Sequence, residues 1–298
     1  MPKSLQDHLR KRRSSTFVGR EQQLELFRAN LQRAADSEDC LFLFSIFGQG
    51  GVGKTTLVKK FEELAKQHMA LIAYANEDIK DVPDLLGAMA RQLDQQDASL
   101  SKFDKHYRTY LQEKKRLEAD PEAPKGIWAF GGRLIAKGGK ELTKQFVPGS
   151  GLLLDQVDMG LLGDQIGELA SFVKKKITNK DEVQLLLEPV ETLTPLFLEG
   201  LREYAAKPRI CFFFDTFEET GRYLDEWIRN LLEGEYGDAP ENLLLTISGR
   251  EPLNPDHWAA FGDAMSVIPL EPFSDSEARS YLERKQITDA ATVETILH

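Results

Sequence analysis

Five short apolar runs recur along the chain, and between them lie longer stretches whose apolar residues recur at helical spacing. The runs are short, and the first ends in a glycine-rich loop, so they predict buried parallel strands. Strands that alternate with helices predict an α/β fold, in which helices cover both faces of a parallel sheet. The predicted strands are residues 40–48, 71–78, 209–217, 242–250 and 265–270.

Helices are predicted over residues 21–35, over the stretch after the first strand, and over 81–119, where we expect two. Thr194 resembles an N-cap and Pro195 a first helical residue, which predicts a helix start at that point. The letters "SDSE" (Ser274 to Glu277) form a capping-box pattern that opens another helix.

The middle of the chain differs in composition. Residues 121–151 are rich in glycine and proline, with a few large apolar residues among them, which argues against a regular element. We interpret the segment as a flexible insertion. The alternative is an element for self-association or membrane contact.

Composition narrows the class of protein. Of the 298 residues, 41% are hydrophobic and 29% charged, as in a soluble globular protein. The net charge of −10 repels nucleic acid, so no nucleic-acid partner is expected despite the basic "RKRR" at residues 10–13. No apolar run is long enough to span a membrane and the N-terminus has no signal core, so we expect a cytoplasmic protein.

A phosphate-binding pattern follows the first predicted strand. Residues 48–55 fit G-x-x-x-x-G-K-[ST], in which glycines let successive backbone N–H groups face one oxyanion. Lys54 is expected to reach the β and γ phosphates, and the Thr55 hydroxyl to bind Mg²⁺. The predicted nucleotide-binding residues here are Gly48, Gln49, Gly50, Gly51, Val52, Gly53, Lys54, Thr55 and Thr56.

Two further strand ends carry candidate catalytic residues. Asp215 ends the apolar run "ICFFF", where ligands bind in open α/β sheets, and is expected to bind hydrated Mg²⁺. Glu218 is a candidate for orienting the attacking water. Arg250, at the end of "LLLTISGR", is a candidate γ-phosphate sensor, because its guanidinium matches phosphate oxygens. Thr216 stands where many ATPases have a second carboxylate, which makes fast hydrolysis doubtful.

Taken in order, "FVGRE", "GQGGVGKTT", "CFFFDTFEE", "LLLTISGRE" and "PLEPFSDSEARSYL" resemble the STAND class of P-loop NTPases, which includes the NB-ARC and NACHT switch proteins. The wording is most similar to that of bacterial members. The resemblance implies a five-stranded parallel sheet of order 5-1-4-3-2, followed by the start of a helical lid. It also implies that Phe17, Val18, Gly19 and Arg20 line the adenine and ribose, and that Arg250 is aimed at the γ-phosphate.

The polar, basic composition of residues 1–13 predicts a disordered tail. The resemblance implies that residues 14–270 form a nucleotide-binding domain with an insertion at about 97–190. Residues 271–298 would begin the lid. The class usually has a Gly-x-Pro in the lid and then a winged helix, and neither occurs before the chain ends at "VETILH". We therefore expect the N-terminal portion of a longer protein, with sensor or effector modules downstream.

The function implied is a switch that binds ATP or ADP with Mg²⁺, hydrolyses ATP slowly and self-associates in the ATP state, in signalling or antiphage defence. Three alternatives stay open. One is an AAA+ ATPase of the origin-recognition or clamp-loader type that acts on DNA, and another is a nucleotide-dependent scaffold that does not hydrolyse. The third is a GTPase that uses "TNKDE" (residues 178–182), although a helix cap is the simpler interpretation of those letters.

Overall fold

The computed structural model of the chain describes residues 18–124 and 159–297. The predicted tail 1–13, Phe17 on the expected adenine side, and most of the glycine-rich segment 121–151 lie outside the described residues.

Five parallel strands form one sheet in the order β2-β3-β4-β1-β5, which confirms the predicted order 5-1-4-3-2. The register pairs Phe214 of β3 with Ile247 of β4, and Ile46 of β1 with Ser248 of β4. The chain therefore leaves β1, β3 and β4 at one edge of the sheet, where parallel α/β sheets bind ligands. The strands are β1 Leu43–Phe47, β2 Leu71–Ala75, β3 Ile210–Phe214, β4 Leu243–Gly249 and β5 Met265–Pro269.

Helices lie on both faces of the sheet, as predicted. On one face, α1 and α2 pack against the strands through Phe27 and Phe61, whose stacked rings lie 4.0 Å apart. The opposite face is covered chiefly by α3, α4, α7 and α8. The helices are α1 Glu21–Gln32, α2 Lys54–Gln67, α3 Val82–Asp94, α4 Ser101–Glu118, α5 Met159–Lys176, α6 Lys180–Leu187, α7 Pro189–Arg202, α8 Phe217–Leu232, α9 Pro255–Trp258, α10 Asp275–Arg284 and α11 Ala290–Leu297, with a 3₁₀ turn at Ala259–Ala264.

The predicted helix start at Thr194 and Pro195 is wrong. Helix α7 already begins at Pro189, and Pro195 lies inside it. The buried face of the helix starts upstream, with Val190 and Leu193, so packing extends the helix past the local start signal. Thr194 is itself buried, and its hydroxyl accepts a hydrogen bond of 3.1 Å from the indole N–H of Trp227.

Two other predicted helix starts are confirmed. Ser274 caps α10 in a full capping box with Glu277. Asn179 caps α6 by accepting from the backbone N–H of Asp181, which is the helix-cap interpretation of "TNKDE".

The outer edge of strand β2 is paired with the side chains of two glutamines, Gln92 in α3 and Gln96 in the turn that follows it. The Gln92 side chain accepts from Tyr74 N–H at 2.9 Å and donates to its carbonyl at 2.8 Å. Gln96 makes the same pair of bonds to Ile72, at 3.0 and 2.6 Å. These side-chain amides take the place of a further strand, so they satisfy backbone groups that an edge strand would otherwise leave exposed.

Candidate nucleotide-binding site

The glycine-rich loop joins β1 to α2 at the carboxyl edge of the sheet. Gly48 passes so close to the residue after β5 that a Cβ added there would lie 2.3 Å from the Leu270 carbonyl oxygen. Gly53, just before α2, has φ of 101°, which disfavours other residues. A Cβ built on Gly50, Gly51 or Gly53 meets no atom within 4 Å, so the concave side of the loop is open.

Lys54 and the two threonines after it form the first turn of α2. The Lys54 ammonium group donates to the carbonyls of Gly48 and Gln49, at 2.7 and 2.9 Å, and so lies over the loop. Thr55 and Thr56 are exposed. An open loop, a cation over it and a helix N-terminus together fit the β and γ phosphates of a nucleotide.

Asp215 is buried at the tip of β3 and has a hydrogen bond to each carboxylate oxygen. The Tyr74 hydroxyl donates to Oδ2 at 2.9 Å, and the Thr216 backbone N–H donates to Oδ1 at 3.0 Å. Burial, and then the charge of Asp215, raise the pKa of Tyr74, so the phenol keeps its proton and stays a donor. A carboxylate oriented by its own hydrogen bonds in this way fits a Mg²⁺ ligand.

Thr216, the residue in place of a second carboxylate, has an unusual backbone conformation. Its φ is 56°, in the left-handed region, which typically costs of order 1–3 kcal/mol for a residue with a branched Cβ. Its hydroxyl donates to a carboxylate oxygen of Glu77, just beyond β2, at 2.8 Å. The hydroxyl at this position is thus bonded to an acidic group that follows the neighbouring strand.

Glu218 and Arg250, two predicted catalytic residues, are bonded to each other. Glu218 accepts from the Arg250 side chain at 3.0 Å and from its backbone N–H at 3.2 Å. The Arg250 side chain is 66% exposed. The structure brings both residues to the carboxyl ends of the strands. There the carboxylate of Glu218 is hydrogen-bonded to Arg250, the candidate γ-phosphate sensor.

The predicted adenine-side residues lie against the start of the predicted lid. The Arg20 guanidinium donates to the Glu271 carbonyl and lies 5.4 Å from the centroid of the Phe273 ring. A Cβ added to Gly19 would lie 2.4 Å from the carboxylate of Glu277. Val18 is buried. The roles of these residues toward adenine stay predictions.

Four polar residues at this edge were missed from the sequence: Tyr74, Glu77, Thr246 and Ser248. The last two lie in β4, and their buried hydroxyls have no hydrogen-bond partner among the described residues. They alternate with Leu245 and Ile247, so they share one face of the strand. Thr246 and Ser248 could have been found from the sequence, because they are two polar residues at alternate positions of an otherwise apolar strand.

The loop, the buried strand-tip carboxylate and the parallel sheet define a P-loop nucleoside triphosphatase fold. A family model described as the AAA ATPase domain matches residues 16–234, and the chain belongs to this family. The family binds nucleotide, usually with Mg²⁺, and the site residues described here fit both.

Among solved structures, the crystal structure of Cdc6p from Pyrobaculum aerophilum is similar at 17% sequence identity, with a TM-score of 0.46. The match covers 91% of this chain and 52% of that chain, so this chain spans about half the length of that protein. No curated protein matches the chain at a significant level. No helix within residues 18–124 and 159–297 is long and apolar enough to cross a bilayer.

Proposed function

We propose that the chain is an ATP-dependent molecular switch of the STAND class, which binds ATP or ADP with Mg²⁺ and hydrolyses ATP slowly. One observation carries the slow hydrolysis. Asp215 is followed by Thr216 rather than by a second carboxylate, and Glu218 is bonded to Arg250. The expected apparatus for activating water is therefore incomplete on β3 and α8.

Each site residue has a role in this proposal. The backbone N–H groups of the loop and Lys54 bind the phosphates, while Thr55 and Asp215 hold Mg²⁺. When bound, Mg²⁺ neutralises charge on the β and γ phosphates. Arg250 senses the γ-phosphate, and its release from Glu218 would accompany that contact.

The switch itself is supported by the contacts of Arg20. The segment predicted to line adenine is bonded to Glu271 and lies over Phe273, at the start of the predicted lid. A nucleotide that displaces this segment changes the contacts of the lid. We propose that the ATP state thereby favours self-association, and that sensor or effector modules outside this chain use the change in signalling or antiphage defence.

Two measurements test the proposal. Binding of ATP and GTP should be compared by calorimetry, and turnover of Mg-ATP should be measured at steady state. We expect preference for ATP and a turnover far below the enzyme median of about 10 s⁻¹. Many turnovers per second, or a preference for GTP, would contradict it. Light scattering with ATP and with ADP should show the larger assembly only with ATP.

A DNA-acting AAA+ ATPase is the second candidate, because the match to the AAA ATPase domain fits it equally well. Binding to duplex DNA should be measured over a range of salt concentrations. Tight binding whose logarithm falls steeply with the logarithm of salt concentration would favour this candidate over the switch. The net charge of −10 predicts weak binding.

A further inference from the structure

We propose that Glu77 is the general base for ATP hydrolysis, a catalytic carboxylate supplied by the turn after β2 in place of the one that is missing after β3. This inference rests on the proposed ATPase function. Glu77 follows β2, and β2 is the direct neighbour of β3 in the sheet. Its carboxylate accepts the Thr216 hydroxyl at 2.8 Å, so it lies beside the position where a second acid would stand.

Two structural connections place Glu77 close to Asp215. The backbone N–H of Asp215 donates to the Ala75 carbonyl at 2.9 Å, which ties the ends of β2 and β3 together. Tyr74 bonds to Asp215, and its pKa is raised by burial, then by Asp215, and also by the charge of Glu77. The proposed base and the proposed Mg²⁺ ligand therefore belong to one cluster of side chains at the carboxyl ends of β2 and β3.

The other acids near the site are less suited to the role. Glu218 already accepts two hydrogen bonds from Arg250. Glu219 is an exposed residue in the first turn of α8. Glu77 is also exposed, so water reaches it, and among the described residues its hydrogen-bond partner is the Thr216 hydroxyl. A carboxylate that accepts one bond from a neutral hydroxyl still has lone pairs that can accept a proton.

The left-handed conformation of Thr216 supports the same assignment. A threonine is an unfavourable residue at φ of 56°, and here its side chain donates to Glu77. Strained residues of this kind cluster at functional sites, where the surrounding structure maintains them. Thr216 is then a positioning residue, which holds the Glu77 carboxylate through one of its oxygens.

The reaction balances with one water molecule and no further reactant. Glu77 accepts a proton from the water as the water oxygen forms a bond to the γ phosphorus. The bond from that phosphorus to the bridging oxygen breaks, and its electron pair stays on the β-phosphate of ADP. Glu77 then returns its proton to the phosphate product or to solvent, so that ATP and water give ADP and phosphate.

The decisive variant is Glu77→Gln, which keeps an acceptor for the Thr216 hydroxyl but cannot take up a proton. We expect the single-turnover rate of hydrolysis to fall at least ~100-fold. ATP affinity and the melting temperature without nucleotide should stay at wild-type values. The nucleotide recovered from the protein after incubation with Mg-ATP should change from ADP to ATP. Asp78→Asn removes a neighbouring exposed acid and is the matched control, with an expected rate within about twofold.

If Glu77→Gln hydrolyses ATP like the wild type, or if Glu218→Gln alone abolishes hydrolysis, the role of Glu77 is refuted while nucleotide binding stands. If the wild type binds Mg-ATP but never converts it, the role is refuted as well. A wild type that does not bind Mg-ATP refutes the proposed function itself.

Discussion

Gln96 offers a test of how the edge strand next to the site is held in place. Its side chain bonds both the N–H and the carbonyl of Ile72, and Ile72 is only 4% exposed. Gln96→Leu keeps roughly the same volume but removes both hydrogen bonds. Gln96→Ala removes them too, but it opens a space next to the strand. The exposed neighbour Gln95 is the matched control, as Gln95→Leu.

We expect Gln96→Leu to lower the free energy of unfolding by about 3 kcal/mol. Two buried backbone groups lose their partners, at about 2 kcal/mol each, which gives about 4 kcal/mol. Burial of leucine carbon in place of the amide recovers about 1 kcal/mol. For Gln96→Ala we expect only about 1.5 kcal/mol, because water can enter the space and bond to Ile72. Gln95→Leu should stay within about 0.5 kcal/mol of the wild type.

Urea unfolding followed by circular dichroism measures these differences, provided that the slope with urea is unchanged. The most specific part of the prediction is the order of the two stabilities. Gln96→Leu, the larger and more apolar replacement, should be less stable than Gln96→Ala. If Gln96→Leu is as stable as the wild type, or more stable than Gln96→Ala, the backbone groups of β2 do not depend on the glutamine. The account of the edge strand would then be wrong.

Lys54→Ala should lower the affinity for Mg-ATP at least ~100-fold in calorimetry, because Lys54 carries the charge over the loop, while the melting temperature without nucleotide stays near the wild-type value. Normal ATP binding by this variant would contradict the site. Gly48→Ala should lower the free energy of unfolding in urea by about 2–4 kcal/mol, because its Cβ would lie 2.3 Å from the Leu270 oxygen, whereas Gly262→Ala, with nothing within 4 Å, should be neutral. An equal effect of the two alanines would refute this. Ser274→Ala should remove the capping box of α10 and cost about 1 kcal/mol, seen as faster hydrogen exchange in its first turn. Unchanged exchange there would count against the cap.

The sheet could be predicted from the sequence because each of its strands is a short apolar run with a clear boundary at each end. The phosphate loop and Asp215 could be located for the same reason, since each directly follows such a run. The start of α7 could not, because Pro189 and Pro195 both carry a valid local signal for a helix start. Which of the two begins the helix is decided by the residues that pack against the sheet, and that is a property of the tertiary structure.

The contacts between side chains of the site could not be predicted from the sequence, for a related reason. The sequence places Glu218 and Arg250 near one edge of the sheet, but it gives no sign that they bond to each other. Tyr74 lies 141 positions before Asp215 and was not predicted at all, although its hydroxyl orients that carboxylate. Bonds between side chains of different strands depend on register and rotamer, which the order of residues does not specify.

Thr216 shows how this changes the interpretation of the motif. In the sequence, Thr216 occupies the position after Asp215 where many ATPases have a second carboxylate, and this predicts slow hydrolysis. In the structure, the same threonine donates its hydroxyl to Glu77, a carboxylate just beyond the neighbouring strand. Because parallel strands end at one edge, a group absent from one strand is open to replacement from the next. If Glu77 acts as proposed, the base is supplied from beyond β2 rather than absent, and Thr216 positions it, so Thr216→Val should lower the single-turnover rate of hydrolysis without abolishing it.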